Sequence, residues 1–320
     1  MDKKKVTVII PSYNEEESLP LLYKALMEEI ETPCLSAYDW ELLFVNDGSK
    51  DRTIEIIKDL RSKDERVCYV DLSRNFGKEN AMLAGLDYAK GDCVILMDAD
   101  LQDPPKVMEQ MVEKWEEGYD DVYAKRITRG KESWLRKTLS MTFYKILNKM
   151  SKVEMLQNVG DFRLLDRRCV DTLCSMREAD RYSKGLFCWI GYKKAEVLFD
   201  RGDRVAGTTS WNLKSLTKLA LSGIISFTSA PLQIATILGV TVSLLAFVYL
   251  IFIFVKTLAF GDPVAGFPAL MCVVLFLGGF ILLCLGIIGE YIARIYNEVK
   301  RRPVYIAREY NDTLISERRN

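Results

Sequence analysis

The sequence predicts an α/β domain built on a mostly parallel sheet, followed by an amphipathic helix and a two-helix transmembrane hairpin. Three observations predict it. Short β-branched runs alternate with stretches of helical spacing up to about residue 217. Strands separated in this way by helices pair in parallel through right-handed crossovers. Beyond that point Pro231 to Val255 and Pro263 to Gly289 carry no charged residue, and each exceeds the roughly 20 apolar residues needed to cross a bilayer core.

Taken in order, Val6 to Ile10 is a β-branched strand ended by Pro11-Ser12-Tyr13-Asn14-Glu15, and Ser18 to Ile30 has helical spacing. The loop between them lacks both Gly-X-Gly-X-X-Gly and a Walker lysine, which excludes the dinucleotide fingerprint and the P-loop. Glu41 to Val45 repeats the design, ending in Asn46-Asp47-Gly48-Ser49 before a helix from Thr53 to Arg61. Asp47 serves equally as a turn former or as a ligand-facing acid, because ligands of open α/β sheets bind beyond the carboxyl ends of strands. Val67 to Leu72 is the third strand, and Asn75-Phe76-Gly77-Lys78 leads into a helix from Glu79 to Ala89. Lys78, near that helix start, suits either a phosphate contact or a surface charge.

The fourth strand is the centre of the domain. Val94 to Met97 runs straight into Asp98-Ala99-Asp100-Leu101-Gln102-Asp103, and Pro104-Pro105 then stops any ladder. Residues two apart on a strand share a face, so Asp98 and Asp100 are expected to point together, with the amide oxygen of Gln102 next in line. Hard oxygen ligands without His or Cys suit Mg²⁺ or Mn²⁺ better than Zn²⁺. Further on, Val122 to Arg126 is a strand ending in bases, Arg129, Lys131, Arg136 and Lys137 lie on a basic helix, and Asp161 stands beside Gly160. Leu213 to Phe227 has one apolar helical stripe with Lys214 and Lys218 off it, as an interfacial helix requires.

Composition narrows the function. The chain of 320 residues has no histidine, which excludes His-dependent triads and His–metal sites. Its 44 basic and 44 acidic residues cancel, arguing against a nucleic-acid partner. The eight cysteines include no Cys-X-X-Cys pair and read as reduced packing residues. The N-terminal Met1-Asp2-Lys3-Lys4-Lys5 lacks a signal-peptide stretch, and Lys214, Lys218, Arg294, Lys300, Arg301 and Arg302 flank the apolar segments. Positive-inside bias therefore predicts a multi-pass protein of the cytoplasmic membrane, with both the N-terminal domain and the C-terminus in the cytoplasm.

The motifs Pro11 to Glu15, Val45 to Ser49, Ser73-Arg74-Asn75-Phe76-Gly77-Lys78 and Asp98 to Asp103, in this order, resemble the family-2 glycosyltransferases of the GT-A fold. Gly286 to Ile292 and Arg301 to Ile306 resemble the tail of the bacterial branch acting on polyisoprenyl phosphates, whose members carry two C-terminal spans. The resemblance implies a GT-A domain at 1–210, a juxtamembrane helix at 211–229, spans at 230–256 and 265–291 joined by a short extracytoplasmic loop at 257–264, and a cytosolic tail at 292–320. It implies inverting transfer from a nucleotide sugar, UDP-glucose or another UDP-hexose, to polyprenyl phosphate.

By the same resemblance Asp98, Asp100 and Gln102 surround the metal, while Pro11, Tyr13, Glu15, Asp47, Lys78, Asp98 and Ala99 form the nucleotide-sugar pocket. Asp161 joins Asp98 and Asp100 as a catalytic candidate, acting as base or orienting the acceptor. Arg126, Arg136, Arg204 and Lys214 supply positive charge to the acceptor phosphate, though the lysine common in the family after Gly207 is replaced here by Thr209-Ser210-Trp211. A phosphate monoester with its second pKa at about 6 is already nucleophilic near neutrality and needs no strict general base. The lipid bilayer, a homo-oligomer such as a tetramer, a flippase and an extracytoplasmic glycosyltransferase are the partners implied. Two other readings remain: a membrane glycosyltransferase with a hydroxyl acceptor, which needs a true base, and a nucleotide-sugar-binding scaffold without turnover.

Overall fold

The structure is a computed structural model that describes residues 3–127, 156, 159–200, 230–260 and 266–315. Its first elements alternate as the apolar runs require: β1 (Lys5–Ser12), α1 (Leu19–Ile30), β2 (Asp39–Asn46), α2 (Thr53–Lys63), β3 (Val67–Leu72), α3 (Lys78–Tyr88) and β4 (Cys93–Leu96). Then come α4 (Val107–Glu116), β5 (Asp121–Arg126), β6 (Val159–Asp166), α5 (Arg167–Ser175), α6 (Ser183–Trp189) and β7 (Lys194–Phe199). The hydrophobic helices α7 (Ala230–Phe260) and α8 (Phe267–Val299) follow, and the chain ends in β8 (Ala307–Tyr310) and β9 (Thr313–Leu314).

One sheet holds all the strands in the order β7-β5-β6-β4-β1-β2-β3-β8-β9. The expectation of a mostly parallel sheet holds for its centre, where β4, β1, β2 and β3 pair in parallel. It fails on both flanks: β6 lies antiparallel between β4 and β5, and β8 runs antiparallel to β3. Apolar runs announce that a strand exists and is buried but not its direction, and the sheet is therefore mixed.

The two faces of β1 follow the period of two. Val6, Val8 and Ile10 pack with Leu19, Leu22 and Leu26 of α1 and Met108 and Met111 of α4. Ile9 faces the other side with Ala81 and Ala84 of α3 and Val170 and Leu173 of α5. There α3 lies so close that a Cβ at Gly85 would come within 2.3 Å of Ile9 Cγ2.

The C-terminal residues, expected as a tail, instead complete the sheet. After α8 ends at Val299, Arg301 takes a left-handed φ of 47° and Pro303 prevents further helix, so the chain turns back. Asn311 and Asp312, with φ of 46° and 65°, make the two-residue turn between β8 and β9, matching the primed turns that suit strand twist. The Tyr69 hydroxyl donates to Asp312 Oδ1 (2.8 Å), Lys58 pairs with Glu309 (2.8 Å) and Arg61 with Asp312 (3.0 Å). A strand of four residues is legible only through its partner, since Ala307-Arg308-Glu309-Tyr310 has no apolar run of its own.

The apolar segments are helical over 31 and 33 residues. Among the described residues, one helix segment, Phe276–Val299, is long and apolar enough to cross a membrane, and the apolar stretch Ala235–Tyr249 of α7 is shorter. Large apolar side chains such as Leu244 and Leu282 face outward along both helices.

Candidate active site at the carboxyl ends of the parallel strands

The loops after β1, β2 and β4 meet at one edge of the sheet. Asp47 N–H donates to the Ser12 carbonyl (2.9 Å), and Met97 N–H donates to the Ile9 carbonyl (3.0 Å). Asn14, at a φ of 56°, donates its N–H to Ser49 Oγ (3.0 Å) and accepts at Oδ1 from Lys50 N–H (2.9 Å). These bonds hold the first two loops together. Pro11 pairs with Val45 inside the sheet, and Tyr13 is exposed beside it.

Two of the expected pocket acids are occupied by the protein itself. Asp47 is buried, and its two oxygens accept from the N–H groups of Phe76 (2.7 Å) and Gly77 (2.9 Å). Burial pushes its carboxyl up from the usual value against those two bonds. Asp47 thus clamps the loop leading to Lys78. The clamp requires Gly48, at a φ of 63°, because a Cβ there would lie 2.4 Å from the Arg74 carbonyl carbon. Glu15 accepts from Ser18 Oγ (2.6 Å) and donates its N–H to Thr53 Oγ1 (2.8 Å).

The clamped loop delivers Lys78, first residue of α3, between two carboxylates. Its ammonium is 2.6 Å from Asp98 Oδ1 and 2.6 Å from Asp161 Oδ2. Burial opposes the charge on Asp161, yet Lys78, Lys184 and Arg163 hold its carboxyl well below the usual range. Burial likewise opposes the Lys78 charge, and the same two carboxylates hold its ammonium well above the usual value.

The acids after β4 are arranged differently from the strand expectation. The strand ends at Leu96, and Ala99 and Asp100 lie in a turn. Shared strand facing therefore does not orient Asp98 and Asp100. The turn contains Leu101 at a φ of 58°, a conformation costing a branched side chain on the order of 1 kcal/mol. Gln102 N–H donates to Asp100 Oδ1 (3.2 Å), and Ala99 is buried. Asp103 is buried as well, and burial together with the Asp98 charge pushes its carboxyl up to about 7.

This cluster fits a divalent cation by its chemistry. Gln102 Oε1, Asp103 Oδ1 and Asp161 Oδ1 are buried acceptors with no hydrogen-bond partner, and buried acceptors are normally satisfied. With Asp98 and Asp100 they offer only oxygen donors, the chemistry that a hard divalent ion takes. Among the described residues no three His, Cys, Asp or Glu side chains stand at ligand spacing, so these oxygens are not gathered into a formed metal site.

Arg126, at the end of β5, reaches the same place. Its charge acts on Asp103, its Nε is buried without a partner, and its Nη2 would lie 3.2 Å from a Cβ at Gly160. The glycine makes room for the guanidinium. Arg136, Arg204 and Lys214, the other expected acceptor residues, lie outside the described residues, as do the basic helix and the juxtamembrane helix.

Sequence reasoning missed several members of the site. Lys184 on α6 adds positive charge beside Asp161 and Glu79. Glu79 Oε2 accepts from Ser183 N–H (2.9 Å), tying α6 to α3. Arg163 is buried, contacts both oxygens of Asp121 (3.3 and 3.2 Å) and lies over the Phe187 ring at 3.8 Å. An arginine inside the otherwise apolar Phe162-Arg163-Leu164-Leu165 was the available signal.

Comparison with known proteins bears on the family of the chain. Residues 7–174 match the model for glycosyl transferase family 2, and residues 230–295 match the GtrB C-terminal hairpin. The chain is 46% identical over 302 residues to an uncharacterized glycosyltransferase, sll0501, of Synechocystis, covering 94% of each chain. It is 44% identical over 305 residues to the SfII prophage-derived bactoprenol glucosyl transferase of Shigella flexneri, covering 95% of this chain and 98% of that one. A solved mannosyl-3-phosphoglycerate synthase from Rubrobacter xylanophilus superposes with a TM-score of 0.45 at 18% identity, covering 68% of this chain and 71% of that one.

Proposed function

This chain belongs to glycosyltransferase family 2, and from that premise we propose that it transfers a hexose from a UDP-sugar to polyprenyl phosphate at the cytoplasmic face of a membrane. The observation that carries the reading is Lys78 between Asp98 and Asp161, beside buried unpartnered oxygens at the carboxyl ends of parallel strands. Relatives named as bactoprenol glucosyl transferases, 44% identical, support the lipid acceptor.

In this reading the loops of Pro11 to Glu15 and Asn46 to Ser49 hold the nucleotide, with Tyr13 exposed for stacking on the base. Asp98, Asp100 and Gln102 would hold Mg²⁺ or Mn²⁺, whose charge offsets the negative charge developing on the leaving diphosphate. Lys78 brings a further positive charge to that side. Asp161 is a poor match for proton abstraction, because Lys78 holds it ionised far below neutral pH. A phosphate acceptor needs no such base, and the relatives named as bactoprenol glucosyl transferases favour the phosphate over a hydroxyl acceptor. Asp161 then orients Lys78 and the acceptor, and Arg126 faces the acceptor phosphate.

The membrane arrangement follows from the tail. Residues 307–310 pair with β3, and Glu298 near the end of α8 accepts from Ala179 N–H (3.0 Å). The end of α8 thus returns to the domain, and with the matched C-terminal hairpin this supports two crossings with a short outer loop. A lipid-linked sugar made inside requires a flippase and an extracytoplasmic glycosyltransferase downstream, and a homo-oligomer is the assembly proposed. Incubating the purified protein with undecaprenyl phosphate, divalent metal and a panel of UDP-sugars tests the function. A glycosylated lipid product is expected, and nucleotide-sugar binding without any product would overturn transfer in favour of a scaffold.

A further inference from the structure

Asp71, near the end of β3, is only 1% exposed and divides its carboxylate between two partners. Oδ1 accepts from Asn46 Nδ2 (2.7 Å), while Oδ2 accepts from Arg308 through Nε (2.9 Å) and Nη2. Asn46 closes β2, and its Oδ1 accepts from Ser49 N–H (3.3 Å). Ser49 Oγ in turn accepts from Asn14 N–H (3.0 Å). One hydrogen-bonded relay therefore runs from Arg308, beyond both hydrophobic helices in chain order, to the two loops at the carboxyl ends of β1 and β2.

The direction of each bond makes this relay sensitive to Arg308. An ionised carboxylate only accepts, so Asp71 forces the Asn46 amide to present its NH₂ there and its oxygen to Ser49. Without Arg308 the buried Oδ2 of Asp71 loses both of these donors, and a buried acceptor left without a partner is destabilising. Asp71 then no longer holds the Asn46 amide in place, and the Ser49 bond that aligns Asn14 is weakened. We propose that Arg308 is a positioning residue for the nucleotide-sugar donor, coupling the docked C-terminal strand to the donor loops. The proposal rests on the reading that these loops hold the nucleotide.

Backbone anchorage of the tail does not depend on this side chain, since Ser73 N–H donates to the Ile306 carbonyl (2.9 Å) and β8 keeps its ladder. The test is UDP titration by calorimetry, with donor KM and kcat, on the full chain and on Arg308→Ala, Arg308→Lys and Glu309→Gln. Arg308→Ala should raise the UDP Kd and donor KM on the order of tenfold, as for loss of a charge-assisted contact, with kcat at saturating donor nearly unchanged. Arg308→Lys should recover part of that loss. Glu309→Gln weakens the Lys58 and Tyr69 contacts of the same strand and should lower thermal stability while leaving UDP affinity alone. Where the alanine variant does not accumulate, Arg308→Gln carries the same comparison. Unchanged UDP affinity in the Arg308 variants would overturn the inference, and so would an equal loss in Glu309→Gln, which would make tail docking alone responsible. A wild-type chain that does not bind UDP would overturn the donor reading itself, and the inference with it.

Discussion

The ammonium of Lys78 lies 2.6 Å from a carboxylate oxygen of Asp161, although 83 residues separate them in sequence. Lys78 opens α3 and Asp161 sits in the antiparallel strand β6, so the pair exists only because β6 is inserted beside β4. It sets the ionisation of the site, and the first prediction follows from its sign.

Asp161 is held below the ordinary carboxylate range, so it is ionised throughout neutral pH in the free protein. Its pairing stabilises the fold above the unfolded value of about 4, and that contribution is lost as pH falls through the depressed value. An acid limb in kcat/KM between about pH 6 and 7 is therefore expected from the acceptor phosphate, with its second pKa of about 6, and from Asp103, whose carboxyl is pushed up to about 7, and not from Asp161. Asp161→Asn should lower the rate by a similar factor from pH 6 to pH 9 without moving the limb. Disappearance of the limb in that variant would instead identify Asp161 as the titrating base.

The oxygen cluster makes a separate prediction. Asp100→Ala should reduce turnover at least about a hundredfold, as for loss of one strong electrostatic contact to a transition state, with little change in thermal stability. Gln102→Ala, which removes the buried unpartnered Oε1, should weaken metal activation and shift the metal concentration for half-maximal rate upward. Full activity in excess chelator would contradict both.

Arg163, whose charge also acts on Asp161, forms with Asp121 a pair that bears on the stability of the fold. Their pair is 2% and 0% exposed at the side chains, and burial pushes the Asp121 carboxyl up against the Arg163 and Lys194 charges. Removing one partner of such a pair costs about 3–5 kcal/mol because the other is left buried. Arg163→Ala should therefore depress the thermal midpoint strongly, whereas Arg163→Ala combined with Asp121→Ala should recover part of the loss. A double variant no better than the single one would assign the cost to packing on Phe187.

Membrane topology is tested by reporter fusions after Gly261 and after Asn320. They should report opposite compartments under the proposed two-span arrangement, because β8 returns to the sheet of the domain and the basic residues flank the apolar segments on that side. The same compartment for both would disprove the two-span arrangement.

The parts of the fold written in local pattern were legible in the sequence. Val6 to Ile10, Glu41 to Val45, Val67 to Leu72 and Val94 to Leu96 are apolar runs, and each became a strand of the parallel centre. On the flanks β5 was legible as Val122 to Arg126, but β6 and β8 were not, because β6 carries Asp161, Arg163 and Asp166 and β8 carries Arg308 and Glu309. In each, charged residues are satisfied by partners distant in sequence, as Arg163 is by Asp121 and Arg308 by Asp71. The site divides the same way. Asp98, Asp100 and Lys78 stood out beside strand ends and a helix start, whereas the use of Asp47 as a loop clamp and the approach of Lys184 depend on packing that no local spacing encodes.

The last prediction separates donor from acceptor. Arg126 ends β5 with its Nε buried and unpartnered, its charge directed at Asp103 and its guanidinium admitted by Gly160. In the proposed division the donor uses the loops after β1, β2 and β4, so Arg126 is left to the acceptor phosphate. Arg126→Ala should raise the KM for polyprenyl phosphate or lower kcat by a few tens-fold, the loss of about 2 kcal/mol expected for an Arg–phosphate contact, while UDP affinity is kept. Arg126→Lys should recover less than full activity, since a point charge does not reproduce the two-pronged contact. A parallel fall in UDP affinity with unchanged acceptor kinetics would place Arg126 on the donor diphosphate, and the acceptor would then have to be held by bases outside β5.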